Sequence, residues 1–218
     1  MHTSRFRPSS LGGLIAALAI AAVSATSAQA DEPAETAIYG IALFKPFTAM
    51  SECPFKQGNY AGAHRYYTGM FEQPNPCFQY RDLSLIGTPP TGTVKLYITY
   101  PMNKFPEMYD GMTVSLIDGI VQGFDLSTHG IDTQGHDYAL LLRKFGKPLV
   151  KRTVTVQNRM GATFEVIEAS WQRPNGVSVS FRGATDKLDD GELIVTTPQE
   201  AARQQAKFDQ QQAGVPKL

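Results

Sequence analysis

Five residues of chemistry-bearing type crowd one stretch of this sequence: Asp125, His129, Asp132, His136 and Asp137. Imidazole and carboxylate together can hold a divalent metal or pass a proton. The spacing His129-x6-His136 is not one of the common zinc spacings. The same stretch enters a predicted helix, whose positive end gives carboxylates and polar caps ordinary work. Capping and turn formation are therefore preferred, with a small metal-dependent or catalytic site at His129, Asp132 and His136 as the alternative. A second cluster, Asp186, Asp189, Asp190 and Glu192, is oxygen-rich enough for calcium but lacks the alternation of an EF-hand loop. A solvated Asp-Gly turn explains it more simply. Glu165 and Glu168 could pair for glycoside cleavage, yet glutamates on a strand more often belong to a wet sheet face. The chain has no Gly-x-Ser-x-Gly elbow, phosphate loop, His-Glu-x-x-His helix or dinucleotide fingerprint. No catalytic residue and no cofactor is predicted, and the reading leans against an enzyme.

Two cysteines, Cys53 and Cys77, are the whole complement. In an exported chain an even count reads first as a disulfide. Closing a loop of this length stabilises by about 3–4 kcal/mol on the chain-entropy argument. The competing reading is a reactive thiol with His64 as its base, which would have to stay reduced in an oxidising compartment. Aromatic residues gather around the same segment: Phe55, Tyr60, Tyr66, Tyr67, Phe71, Phe78 and Tyr80, followed by Met102, Phe105, Met108 and Tyr109. Tyrosine offers contact area and a polar tip at low entropic cost, so Tyr66, Tyr67, Phe71, Phe105 and Tyr109 form a candidate recognition surface. The ordinary alternative is a satellite core under a long loop.

The export expectation rests on the N-terminus. Arg5 and Arg7 precede an apolar run from Leu11 to Val23, and Ala28-Gln29-Ala30 closes it in the small-x-small pattern of a cleavage site. These zones, in this order, predict a secretory signal peptide, residues 1–30, removed after Ala30. The run is short for a bilayer-spanning helix, which needs about 20 apolar residues. A periplasmic or secreted chain with no membrane span is expected. It keeps 188 residues, with eighteen Lys and Arg against twenty Asp and Glu, a net charge of −2. That balance excludes a nucleic-acid binder of the usual kind, which needs a basic excess.

The elements that would position these groups follow from periodicity. Ile38 to Phe44 alternates as a first strand after a polar lead, 31–37. Residues 45–91 are rich in Pro and Gly, with a short helix expected around 61–69. Val94 to Tyr100 alternates, then Met112 to Leu116, and Asp118-Gly119 is a strong hairpin turn returning through Ile120 to Leu126. Tyr138, Leu141, Leu142 and Phe145 mark one apolar face of a helix over 136–146. Thr133 is its expected N-cap, Gly146 its C′ residue and Pro148 its stop. Four strands follow, the second with an expected bulge near Val166-Ile167 that turns Phe164, Ala169 and Trp171 inward. Asn175-Gly176 makes another hairpin turn. Thr197 and Glu200 form a capping box, with Pro198 at N1, for a polar surface helix.

The predicted fold class is α+β: a mostly antiparallel sheet of about seven to eight strands covered by one amphipathic helix. A disulfide-stapled, loop-rich segment precedes it and a C-terminal surface helix follows. The single domain spans 31–197, with helix and tail at 198–218. The run Leu142-Arg143-Lys144-Phe145-Gly146-Lys147-Pro148, with Gln157-Asn158 and Ala169-Ser170-Trp171, resembles small exported bacterial proteins of unknown function over the C-terminal half. That resemblance implies an envelope or secreted location and brings no catalytic residues. The helix-on-sheet layout is also similar to beta-lactamase-inhibitor-like and outer-membrane-assembly lipoprotein-like folds, an analogy of architecture alone. The expected function is an interaction module for an envelope or extracellular protein or polymer. The alternatives are the small site at His129 and His136, and a structural envelope component whose last helix docks on a neighbour.

Overall fold

The computed structural model of the protein describes residues 37–59, 64–104, 106–108 and 111–213. The predicted leader lies outside these residues, as do Phe105 and Tyr109. Eight strands form one sheet: β5 (Cys77–Tyr80), β6 (Val94–Thr99), β7 (Gly111–Ile117), β8 (Ile120–Thr128), β9 (Val150–Gln157), β10 (Thr163–Gln172), β11 (Ser178–Arg182) and β12 (Gly191–Thr196). Their order is β5-β6-β7-β8-β12-β11-β10-β9, and every neighbouring pair is antiparallel. This is the predicted α+β class.

Strict alternation places two continuous apolar rows on one face. Phe78, Ile98, Met112, Leu126, Leu193, Phe181 and Ala169 stand opposite one another across seven strands. Tyr80, Leu96, Val114, Phe124, Val195, Val179 and Trp171 form the second row. All fourteen are buried. A period of two delivers every second side chain to the same face, so burial of that face fixes the register. The other face is polar and carries an alternating charged row, Glu192, Arg182, Glu168 and Arg152.

Helix α1 (Gln134–Phe145) covers the apolar face through Leu141 and Phe145, both buried, with Tyr138 and Leu140 packed beside them. Complete burial of two such side chains is worth about 1.5–3 kcal/mol each. Leu142, expected on this face, points outward. Both helix ends are tied to β10. The Gln134 amide accepts from the Ile167 N–H at 2.8 Å and donates to the Glu165 carbonyl at 2.9 Å. It serves backbone groups that β11, ending at Arg182, no longer reaches. At the other end Trp171 Nε1 donates to the Gly146 carbonyl and Arg173 Nη1 to the Phe145 carbonyl. These side chains satisfy carbonyls that the last turn leaves open. Gly146 takes φ +74, as expected of the C′ position. Thr133 occupies the N-cap but does not cap the backbone; its hydroxyl donates to Asp137 Oδ2 at 2.7 Å.

Several expectations are corrected. The first strand is a hairpin, β1 (Ala37–Ile38) and β2 (Ile41–Ala42), turning at Tyr39-Gly40. Both turn residues have positive φ, +47 and +82. Within the expected helix at 61–69, Arg65–Tyr67 is a strand, β4, paired with β3 (Phe55–Gln57), and 60–63 lie outside the described residues. No bulge interrupts β10. Its register with β9 is unbroken from Thr163 to Ser170, so Phe164 faces away from Ala169 and Trp171. The bulge sits instead in β8, where the register with β7 shifts beyond Ser115 and Gln122 becomes the extra residue.

That bulge anchors helix α2 (Pro198–Ala213). Thr197 donates through its N–H to the Gln122 carbonyl at 3.0 Å and through its hydroxyl to Gln122 Oε1 at 2.7 Å. The Glu200 N–H returns to Thr197 Oγ1 at 3.3 Å. Half of the capping box therefore forms. The Glu200 carboxylate does not complete it, because Arg203 and Gln204 hold it instead. The helix runs over the polar sheet face, where Ala201, Gln204 and Phe208 border a shallow cleft with Ser178, Ser180 and Ile194.

Candidate functional site

Cys53 and Cys77 are joined, with Cα atoms 4.9 Å apart, which leaves no thiol for His64 to activate. The bridge lies on a sheet edge. Ser51–Cys53 runs along β5: the Cys53 N–H donates to the Phe78 carbonyl at 2.8 Å, and the Phe78 N–H to the Ser51 carbonyl at 3.0 Å. The segment thus closes the outer side of β5.

Next to this strap lies a cleft of about 640 Å³. One wall is the turn at Tyr39-Gly40. A second is Met50 to Glu52 with Pro54, and a third is the strap Gln73-Pro74-Asn75-Pro76. Tyr100 lines it from the end of β6. Tyr39 and Tyr100 meet edge to face, with ring centroids 6.2 Å apart. Tyr39 is held in the left-handed region, which a bulky side chain adopts only when its surroundings impose it. Its hydroxyl donates to the Met108 carbonyl at 2.9 Å, so the hairpin turn is fixed to the predicted 101–110 loop. Lys104 Nζ donates to the Pro74 carbonyl and ties that loop to the strap as well. Burial raises both phenols above their ordinary range, Tyr100 to about 12, so both stay neutral at physiological pH.

The predicted aromatic surface divides. Tyr66 and Phe71 are exposed. Tyr67 is a structural pin: its hydroxyl donates to Glu52 Oε1 at 2.8 Å and accepts from the Tyr80 N–H at 2.8 Å. The Glu52 carboxylate also receives the Gly87 N–H, which fastens the β3–β4 hairpin region to the loop after β5. Arg65 donates to the Ile86 carbonyl and lies over the Phe55 ring. Sequence reasoning placed Tyr39 and Tyr100 in strands and missed them as a pair. The available signal was a lone glycine after Tyr39 between two short apolar pairs, the minimum for a two-residue hairpin.

The histidine-rich stretch does not assemble. His129, Asp132 and His136 are exposed. His136 Nε2 lies 2.9 Å from Glu107 Oε1. Asp137 alone is buried, and burial raises its carboxyl pKa against the Thr133 hydroxyl and the nearby histidines. Among the described residues no three His, Cys, Asp or Glu side chains converge as metal ligands, either here or in the loop at Asp186–Asp190. Glu165 and Glu168 point to opposite faces of β10, so they cannot flank one bond; Glu168 pairs with Arg152 and Arg182. Among the described residues no helix is long and apolar enough to cross a membrane.

The chain matches no known protein family, no curated protein and no solved structure. Its functional reading therefore rests on its own geometry.

Proposed function

We propose that this protein is an exported binding module that takes a protein or envelope polymer into the cleft between the Tyr39 turn and the disulfide strap. The supporting observation is Tyr39: a 40 % exposed aromatic ring held at φ +47, against Tyr100, on the wall of this cleft. Rigid aromatic area beside backbone amides and prolines is the composition of a recognition site, and a preorganised wall lowers the ordering cost of capture. The disulfide, the Tyr67–Glu52 pin and the Lys104 tie supply that preorganisation. Tyr66 and Phe71 extend the apolar area on the same stapled segment.

The test is quantitative capture from envelope extract, followed by reconstitution with the identified partner. Asn tolerates the left-handed region, so Tyr39→Asn removes the ring without adding backbone strain. It should weaken the reconstituted complex by about tenfold or more, an aromatic hot-spot loss, while Tyr39→Phe, which keeps the ring and removes only the hydrogen bond to Met108, should bind nearly as the unaltered protein does. Unaltered affinity in a folded variant would remove the cleft as the site.

A further inference from the structure

The two edges of the sheet are treated differently. At one, Ser51–Cys53 covers β5 and the disulfide locks the cover in place. At the other, β9 is the last strand, and among the described residues nothing pairs with its outer side. Eight residues of backbone there present N–H and C=O groups on alternate positions, the template for an added strand. The approach is apolar, because Leu149 and Val150 are 75 % and 52 % exposed.

The charge that the chain brings to this edge is basic. From Lys147 to Arg159 it carries four basic residues and no acidic one, Lys147, Lys151, Arg152 and Arg159, whereas Arg143 and Lys144 lie on the other side of α1 beside Glu107. The nearest carboxylates are on β10. Glu168 is matched by Arg152 and Arg182, and Glu165 is the one remaining. Basic residues on an edge strand often serve only to repel other strands. That device works when charge interrupts the edge. Here Thr153-Val154-Thr155-Val156-Gln157 is uncharged and β-branched for most of the strand, with the cations gathered at its ends. The edge is left able to pair, and its surroundings select what pairs. A second copy would bring like charges together, whereas an acidic segment would be drawn in.

We infer that β9 is a docking edge for an extended acidic polypeptide segment of a partner, which joins the sheet as a ninth strand. Main-chain hydrogen bonds supply the affinity, and the cations at the two ends of the edge supply the selection. This surface is at the opposite sheet edge from Cys77 and does not depend on the Tyr39 cleft.

The experiment uses purified protein and a peptide of about ten residues alternating Glu with Val, the same length with Lys for Glu being the control. Amide hydrogen exchange is followed residue by residue. The acidic peptide should protect alternate amides within Val150–Gln157, and the basic peptide should protect none. Lys147→Glu with Lys151→Glu, both exposed positions, should weaken the acidic peptide by about tenfold or more. Added salt should weaken it in the unaltered protein too, which covers a variant that fails to fold. Three results would each overturn the inference. The first is no protection of β9 by the acidic peptide. The second is protection that rises with protein concentration alone, the mark of a second copy. The third is retention on phosphatidylglycerol vesicles that the acidic peptide does not displace, the mark of an anionic surface.

Discussion

Glu200 is a carboxylate almost wholly removed from water, at 1 % exposure, above the polar face of the sheet. Burial alone would raise its pKa. Hydrogen bonds from Arg203 and Gln204 outweigh that burial and hold the carboxyl below its ordinary range. A carboxyl depressed on folding contributes stability that is complete above its unfolded pKa, about 4.3, and is lost as pH falls through the folded value. Glu200→Gln should therefore cost about 1.5–3 kcal/mol at neutral pH, the range for hydrogen bonds to a charged group. Urea unfolding should show that cost shrinking as the solution is acidified below about pH 4. A constant difference at both pH values would mean that the amide fails by packing rather than charge. At this scale the sequence is legible where a residue acts on its own neighbours. Thr197 and Glu200 announce a helix start, and Cys53 with Cys77 announces a bridge. It is silent where partners are distant. Nothing local says that Thr197 clasps Gln122, or that Tyr67 is consumed by Glu52.

The elements follow the same division. Asp118-Gly119 and Asn175-Gly176 both take positive φ in the turns predicted for them, because few other residues tolerate that geometry. The ends of α1 are legible for a similar reason, Gly146 being required at φ +74. The bulge is where alternation misleads. In β10 the apolar pattern breaks because the strand outruns β11: before Glu168, Phe164 and Ile167 are half-buried on opposite faces and Val166 is buried on the face of Glu168. In β8 a real bulge leaves the pattern nearly intact, and only the clasp of Gln122 on Thr197 reveals its use. Bulges re-aim side chains in this way. The helix that this clasp starts approaches the sheet closely. A Cβ added at Gly123 would lie 3.0 Å from the Val195 carbonyl oxygen and 3.4 Å from Glu200 Cγ. Gly123→Val should push α2 off the face, with a stability loss of about 1–3 kcal/mol from overpacking. Limited trypsin digestion checks this: faster cleavage after Arg203 and Lys207 with the sheet core still protected is the expected pattern. Unchanged digestion would show that the helix shifts without detaching.

For the molecule as a whole, the disulfide bears on one edge of a sheet whose centre lies four strands away. Replacing both cysteines, Cys53→Ala with Cys77→Ala, should cost about 3–4 kcal/mol. In exchange experiments the amides pairing β8 with β12 should lose protection only by that global cost, while the Cys53 and Phe78 amides, which hold the cover on β5, should lose more because the cover also opens locally. Equal loss at both places would mean that the bridge acts through the unfolded chain alone. The fold class and seven of the eight sheet strands are legible from alternation and turn signals, whereas β5, inside the Pro- and Gly-rich 45–91 segment, is not, and the strand expected at 38–44 lies outside this sheet. The strand order is not legible either, since the pairing of β8 with β12 joins segments separated by α1 and three other strands and leaves no local mark. That order has a consequence for how the chain is completed. β5 to β8 step inward from one edge, the chain crosses through α1 to the far edge, and β9 to β12 step inward again. The sheet is thus two four-strand meanders that meet at their last strands. For a chain emerging N-terminus first, the seam at the middle is the final thing to close. Until Gly191–Thr196 arrives, the longest strand of the first meander waits with one side unpaired.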